Sequence, residues 1–223
     1  MQKKILIISA HPDDETLGAG GTLLKHKANG DKLYWIIVTS ISESGGFSKD
    51  RVISRGKEID EVSKRFGFED VFFLNFPTMS LTSSSVPVLV PEISKIFQEV
   101  KPEVIYTLNR SDAHSDHRYL SDAVMACTKS FRYPFLKKVL MYECISETEF
   151  APSFPEKVFI PNYFVDVSGF MDEKIEIMKI YFSELGEHPF PRSERNIKAL
   201  GTFRGAVAGC EYAEAFQIVR IIE

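Results

Sequence analysis

Cysteine is scarce in this chain: three residues, at 127, 144 and 210, odd in number and widely spaced. Neither a disulfide framework nor a cysteine metal motif can be assembled from that set, and three reduced thiols in a cytoplasmic protein is the reading it supports. A basic block is lacking too. The 27 Lys and Arg against 31 Asp and Glu leave a net charge of −4, which removes the electrostatic footprint for nucleic acid or an anionic membrane. The longest apolar runs are only strand-sized, so no membrane span is expected. Residues 1 to 9 pair a short basic start with an apolar run, but that run meets an acidic cluster rather than a signal-peptide cleavage pattern. Internal repeats and low-complexity tracts are missing. No Gly-rich phosphate loop follows the first apolar run either: Gly18-Ala-Gly-Gly21 falls inside a helix-periodic segment, where small residues serve close packing.

What the chain does have is an alternation of short β-rich runs with helix-periodic segments. Lys4 to Ser9 reads as a strand, Leu17 to Asn29 as a helix ended by Gly30, and Leu33 to Thr39 as a second strand. Arg51 to Phe66 carries Ile53, Ile59, Val62 and Phe66 at helical spacing and closes on Gly67. Val71 to Leu74 gives a third strand, Val88 to Val100 a helix and Val104 to Leu108 a fourth strand. A helix over about 117–130 leads to a fifth strand, Val139 to Tyr142. This rhythm predicts an α/β fold, a Rossmann-like three-layer sandwich with a mostly parallel sheet. At 223 residues, 44% hydrophobic and 26% charged, the chain fits one globular domain. Residues 152–223 break the rhythm with Pro152, Pro155 and Pro161, then a helix from Met171 to Ser183. They read as an elaboration packed on the same domain.

Two stretches carry chemistry. Directly after the first strand comes His11-Pro12-Asp13-Asp14-Glu15, which sets groups that are costly to bury beside the core. A bound cation would offset that cost. The loop after the fourth strand reads Asn109-Arg-Ser-Asp112-Ala-His114-Ser-Asp116-His117. In a sheet ordered 3-2-1-4-5 both loops reach the crevice between the first and fourth strands, where strand order reverses and ligands bind. Taken singly, the first stretch is a capped turn and the second a solvated loop; their meeting at one switch point favours a metal site.

A His/Asp pair plus one more His forms a three-ligand set with an open coordination position, as hydrolytic zinc sites require. Zinc would bring the pKa of a bound water to about 7 and polarise a carbonyl. The same donors suit ferrous iron, so Fe2+ stands beside Zn2+ as the alternative cofactor. A leftover carboxylate can take a proton from water, and a second histidine can stabilise an oxyanion or protonate a leaving group. The residues alone do not say which aspartate binds the metal.

Ala10-His-Pro-Asp-Asp-Glu15 after a first strand, with His114-Ser-Asp-His117 after a fourth, resembles the PIG-L/LmbE-like family of zinc-dependent N-deacetylases. Those enzymes act on N-acetylglucosamine-containing and related amino sugars. Arg55-Gly-Lys-Glu58 with Gly67 matches the family's Arg-x-x-Glu helix, and Tyr212-Ala-Glu-Ala-Phe216 a common carboxyl-terminal signature. Residues 161–168 (PNYFVDVS), with Lys174 and Tyr181-Phe-Ser183, resemble the tail of surface-polysaccharide and small-sugar deacetylases. By position, the resemblance implies His11, Asp14 and His117 as zinc ligands and Asp13 as general base. It implies His114 as acid or oxyanion stabiliser, Asp116 as the group orienting its ring, and Arg55 as a substrate contact. The chain departs from the family at Phe76-Pro77-Thr78-Met79, where many relatives carry Pro-Asp-Gly and a carboxylate for sugar hydroxyls.

The expected function is a metal-dependent hydrolase that removes acetyl from an N-acetylated amino sugar or its conjugate. The alternatives are hydrolysis of another acyl or phosphoryl bond, or a catalytically silent sugar- or nucleotide-binding module. The expected partner is a small-molecule amino sugar, with no nucleic acid and no membrane span, and a homo-oligomer is compatible with the sequence.

Overall fold

A computed structural model of the protein describes residues 2–223. Seven strands form one sheet in the order β3-β2-β1-β4-β5-β7-β6, with helices on both sides. β1 (Lys4–Ser9) is parallel to β2 (Lys32–Ser40) on one side and to β4 (Val104–Leu108) on the other. Ile5 to Ile8 are wholly buried, as a central parallel strand covered on both faces demands. β3 (Phe68–Pro77) lies outside β2, and β5 (Lys138–Tyr142) outside β4. The chain therefore reverses its direction of travel across the sheet between β1 and β4, and the crevice above their carboxyl ends is the ligand position of such folds.

The helices follow their local signals. α1 (Asp14–Ala28) begins three residues before the expected Leu17, because Asp14 and Glu15 are themselves its first turn. Gly18 lets α1 approach the sheet: a Cβ there would lie 2.1 Å from the Tyr142 ring. α2 (Lys49–Phe66) is capped by Ser48, whose side chain accepts from the Arg51 N–H, and ends on a left-handed Gly67. α3 (Val86–Val100) and α4 (Ser115–Ala126) complete the alternation. His26 on α1, which sequence suggests is a surface residue, is half-buried and bridges Asp31 (2.7 Å) to the Tyr106 hydroxyl (3.0 Å).

The tail extends the same sheet. β7 (Ala213–Ile221) is antiparallel to β5, and β6 (Tyr163–Asp166) is antiparallel to β7. α5 (Met171–Met178) stops short of the expected Ser183, and α6 (Glu194–Ala208) has no counterpart in the sequence reading. A buried ion pair fastens this region to α1. Lys174 Nζ lies 2.7 Å from Glu214 and donates to the Leu17 carbonyl, while Glu214 accepts from the N–H groups of Gly21 and Thr22. Two charges that would be prohibitive singly thus satisfy each other and a helix backbone.

Candidate metal centre

The chain passes from β1 into α1 through a tight, strained turn. Asp13 has φ 135°, a backbone angle few non-glycine residues adopt, and strain of this kind collects at functional sites. Its N–H donates to Glu15 (3.0 Å), whose other carboxylate oxygen accepts from Thr16 and, at 2.9 Å, from the Tyr181 hydroxyl. Arg55 of α2 holds the turn from outside, donating to the Pro12 carbonyl at 2.7 Å and pairing with Glu184. Glu15 is wholly buried, and burial raises it to about 7 even though these hydrogen bonds oppose the shift.

Across the crevice, His114 caps α4. Its Nδ1 accepts from the Asp116 N–H at 3.1 Å. His117 lies in the first turn of that helix. The rings of His11, His114 and His117 gather with centroids 4.5 to 5.4 Å apart. Asp14 reaches both remaining histidines: its Oδ2 is 3.6 Å from His11 Nδ1, and its Oδ1 is 3.3 Å from His117 Nε2. His11, Asp14 and His117 each offer a donor atom within 4.8 Å of the others. A second such group joins His11, His114 and Asp116.

The far nitrogens of the two outer rings meet carboxylates. Asp112, fully buried, lies 2.9 Å from His117 Nδ1, and its other oxygen accepts from Asn109 and Thr148, both at 2.8 Å. Asp116 lies 3.1 Å from His11 Nε2. Each ring is thereby set to offer His11 Nδ1 and His117 Nε2 as lone pairs toward Asp14.

These residues fit a divalent cation. His117 Nε2 is buried without a hydrogen-bond partner, close to Asp14 yet misaligned with it. Burial opposes charge on His117, but Asp14 and Asp112 outweigh it and push the ring up to about 10. Asp14 is buried too, yet His117 and then His11 hold it well below the usual carboxylate range. A site that stabilises positive charge so strongly, with two imidazoles and a carboxylate converging, has the chemistry of a zinc or iron centre.

Asp116 departs from expectation. Its carboxylate does not serve the His114 ring. One oxygen takes His11 Nε2 and the Met79 N–H (2.7 Å), the other the Leu81 N–H (2.9 Å). The reason is local geometry: residues two apart at a helix start do not face each other, so only the Asp116 backbone meets His114. Burial, then His11 and His117, lower His114 to about 4. A neutral imidazole whose Nδ1 is an acceptor carries its proton on Nε2, making His114 a hydrogen-bond donor rather than a cation. Asp13 lies beside this group, nearly buried, and its carboxylate takes no part in the hydrogen bonds of the turn. Burial and then the Asp14 charge push it well above the usual range.

All six residues of the two motifs meet here, and all but Asp116 line one cavity of about 720 Å3 that Arg55 shares. Sequence reasoning gave no role to Glu15 and Asp112, which lie in its two motif stretches, or to Tyr181, which lies in the tail it matched to the family, and it did not single out Thr148, Glu184 or Arg192. Asp112 had a signal, five residues before His117; Glu184 and Arg192 had none.

A family model for PIG-L, described as GlcNAc-PI de-N-acetylase, matches residues 6–128, more than half the chain and both motif loops. The chain belongs to the PIG-L family. Over 97% of its length it is 22% identical to the diacetylchitobiose deacetylase of Thermococcus kodakarensis, covering 83% of that protein. Its fold matches the N,N'-diacetylchitobiose deacetylase from Pyrococcus horikoshii with a TM-score of 0.76 and 22% identity, over 98% of this chain and 84% of that one. The 4-carboxy-2-hydroxymuconate hydratase from Pseudomonas putida KT2440 shares the fold at a TM-score of 0.70 and 20% identity, over 100% and 99% of the two chains. Within PIG-L-like folds, then, the fold alone does not fix the reaction. Among the described residues, no helix is long and apolar enough to cross a membrane.

Proposed function

We propose that this PIG-L protein is a metal-dependent deacetylase that hydrolyses the N-acetyl group of an N-acetylated amino sugar or its conjugate, within one domain spanning residues 1–223. The observation that carries the reading is the convergence of His11, Asp14 and His117 beside a buried carboxylate, Asp13, with no hydrogen-bond duty in its own turn. His11 Nδ1, Asp14 and His117 Nε2 would hold the ion, zinc in our reading. When bound, it would supply Lewis acidity that lowers the pKa of water and polarises the amide carbonyl.

The chain's own groups do the rest. Asp13 takes the proton of the attacking water, and its raised proton affinity then lets it return that proton to the departing amine. His114 donates from Nε2 to the carbonyl oxygen as negative charge develops there. Arg55 positions Asp13 through the Pro12 carbonyl. Acetate and a free amine leave, which balances one water consumed. Three unpaired cysteines, two of them buried, suit a reducing cytoplasmic setting.

The test is acetate release from a panel of N-acetylated sugars, before and after chelation and on re-addition of Zn2+ or Fe2+. Chelator-sensitive release supports the reading. A metal-loaded protein that hydrates unsaturated acids but frees no acetate would transfer it to the chemistry of the hydratase that shares its fold.

A further inference from the structure

The cavity has two unlike walls. One is mainly apolar: Ile41 and Phe47 from the connection after β2, Val52 of α2, then Phe73 of β3 and Met79 of the following turn, with polar Asn75 and Thr78 between the last two in sequence. Phe73 is 47% exposed and Met79 is 69% exposed, large apolar side chains left in water at the cavity mouth. Met79 sits at φ 57°, held there by the Asp116 carboxylate on its N–H. Glycine adopts that conformation without strain and methionine does not, so the turn tolerates strain while presenting an apolar side chain.

The other wall is cationic, and its three arginines are each already paired, sharing Glu58 and Glu184 between them. Arg51 pairs with Glu58 (2.8 Å) and Glu184 (3.3 Å), Arg55 with Glu58 and Glu184, and Arg192 with Glu184 (3.2 Å). Arg192 also donates to Ser146 Oγ and the Glu184 carbonyl. An anionic substituent entering here would have to compete with Glu58 and Glu184 for arginines they already hold. At about 720 Å3 the cavity lies in the upper part of the range for drug-sized ligands, about 300–1,000 Å3.

Resting on the deacetylase reading above, we infer that the substrate is an amino-sugar conjugate whose aglycone is uncharged and apolar, an alkyl or aryl group seated against Phe73 and Met79. The sugar's acetamido group points at Asp13 and His114, and the aglycone runs out along the Phe47–Phe73–Met79 side.

Three ligands test this: free N-acetylglucosamine, its octyl glycoside, and the 7-carboxyheptyl glycoside, each glycoside in both anomers. Binding to metal-loaded protein is measured by calorimetry and acetate release is followed in parallel. The octyl glycoside should bind at least about tenfold more tightly than either comparison ligand, a modest discrimination for an apolar pocket. The double variant Phe73→Ser/Met79→Ser should bring the octyl-to-carboxyheptyl ratio close to one. An octyl glycoside that binds no better than the carboxylate overturns the inference, as does a ratio unmoved in the double variant. Octyl preference in binding without acetate release from any ligand supports the apolar subsite and removes the deacetylase reading instead.

Discussion

The Asp112 carboxylate lies 2.9 Å from Nδ1 of His117, on the nitrogen opposite the one that faces Asp14. That contact fixes the ring's tautomer and leaves Nε2 as the lone pair of the metal site. Asp112 touches no part of the cavity itself, so its effect runs through His117.

Asp112→Asn should therefore weaken metal binding by about 10- to 100-fold, the usual loss for an outer carboxylate. Competition with a chelator of known affinity measures this without recourse to turnover. Thr148→Val, which removes one hydrogen bond to Asp112, should produce a smaller loss in the same direction. Unchanged metal affinity in Asp112→Asn would show that His117 needs no such orientation.

His114 and Asp116 separate cleanly by readout. His114→Ala should keep its metal and lower kcat by about 10²- to 10³-fold, as loss of an oxyanion donor does. Asp116→Asn should act on the His11 ring and on the turn at Met79–Leu81, and so appear first as weaker metal binding. A pure shift of the alkaline pH limb in Asp116→Asn, at normal metal affinity, would restore an ion pair between Asp116 and His114.

The Lys174–Glu214 pair makes a stability prediction. Lys174→Met leaves Glu214 buried and uncompensated, which should cost about 3–5 kcal/mol. Adding Glu214→Gln should recover part of that loss. Denaturant unfolding of the two variants measures the difference, and a single variant as stable as the parent would mean the pair does not tie the tail to α1.

Burial holds His26 below the ordinary histidine value, although Asp31 pulls the other way. The unfolded chain, titrating near about 6.5, then binds more protons than the folded one as pH falls. Stability from this site is whole above that pH and is lost as pH drops toward the lower folded value. Between pH 7.5 and 5.5, His26→Gln should lose less thermal stability than the parent. Parallel slopes would show that folding leaves the proton affinity of His26 unchanged.

Sequence legibility follows the physics of each element. β1 and β4 could be read to the residue because both are continuous apolar runs with sharp ends. The tail was opaque: β7 buries Glu214 at its second position, where a charge interrupts the strand pattern, and α6 carries Gly201 and Gly205, which lower its helical signal. Gly205 is required because a Cβ there would meet the Cys210 and Glu211 carbonyls at 2.6 and 2.5 Å. In the site, histidines and acids bunched at two strand ends announced themselves. Asp116 departs from the role the resemblance implied, because the helix start turns its carboxylate to His11 and leaves only its N–H for His114. Glu184 and Arg192 reach the cavity through folding of a distant segment, and nothing near them in sequence reports it.

The account rests most heavily on Asp13 and the metal set doing separate jobs. One measurement addresses both: metal per chain and acetate release, determined on the same preparations of the parent, His117→Ala and Asp13→Asn. The parent should carry one divalent ion and release acetate. His117→Ala should lose both, because only three protein ligands are available. Asp13→Asn should keep its ion and lose about 10²- to 10⁴-fold in turnover. Full metal in His117→Ala, or near-parental acetate release from metal-loaded Asp13→Asn, would contradict the account.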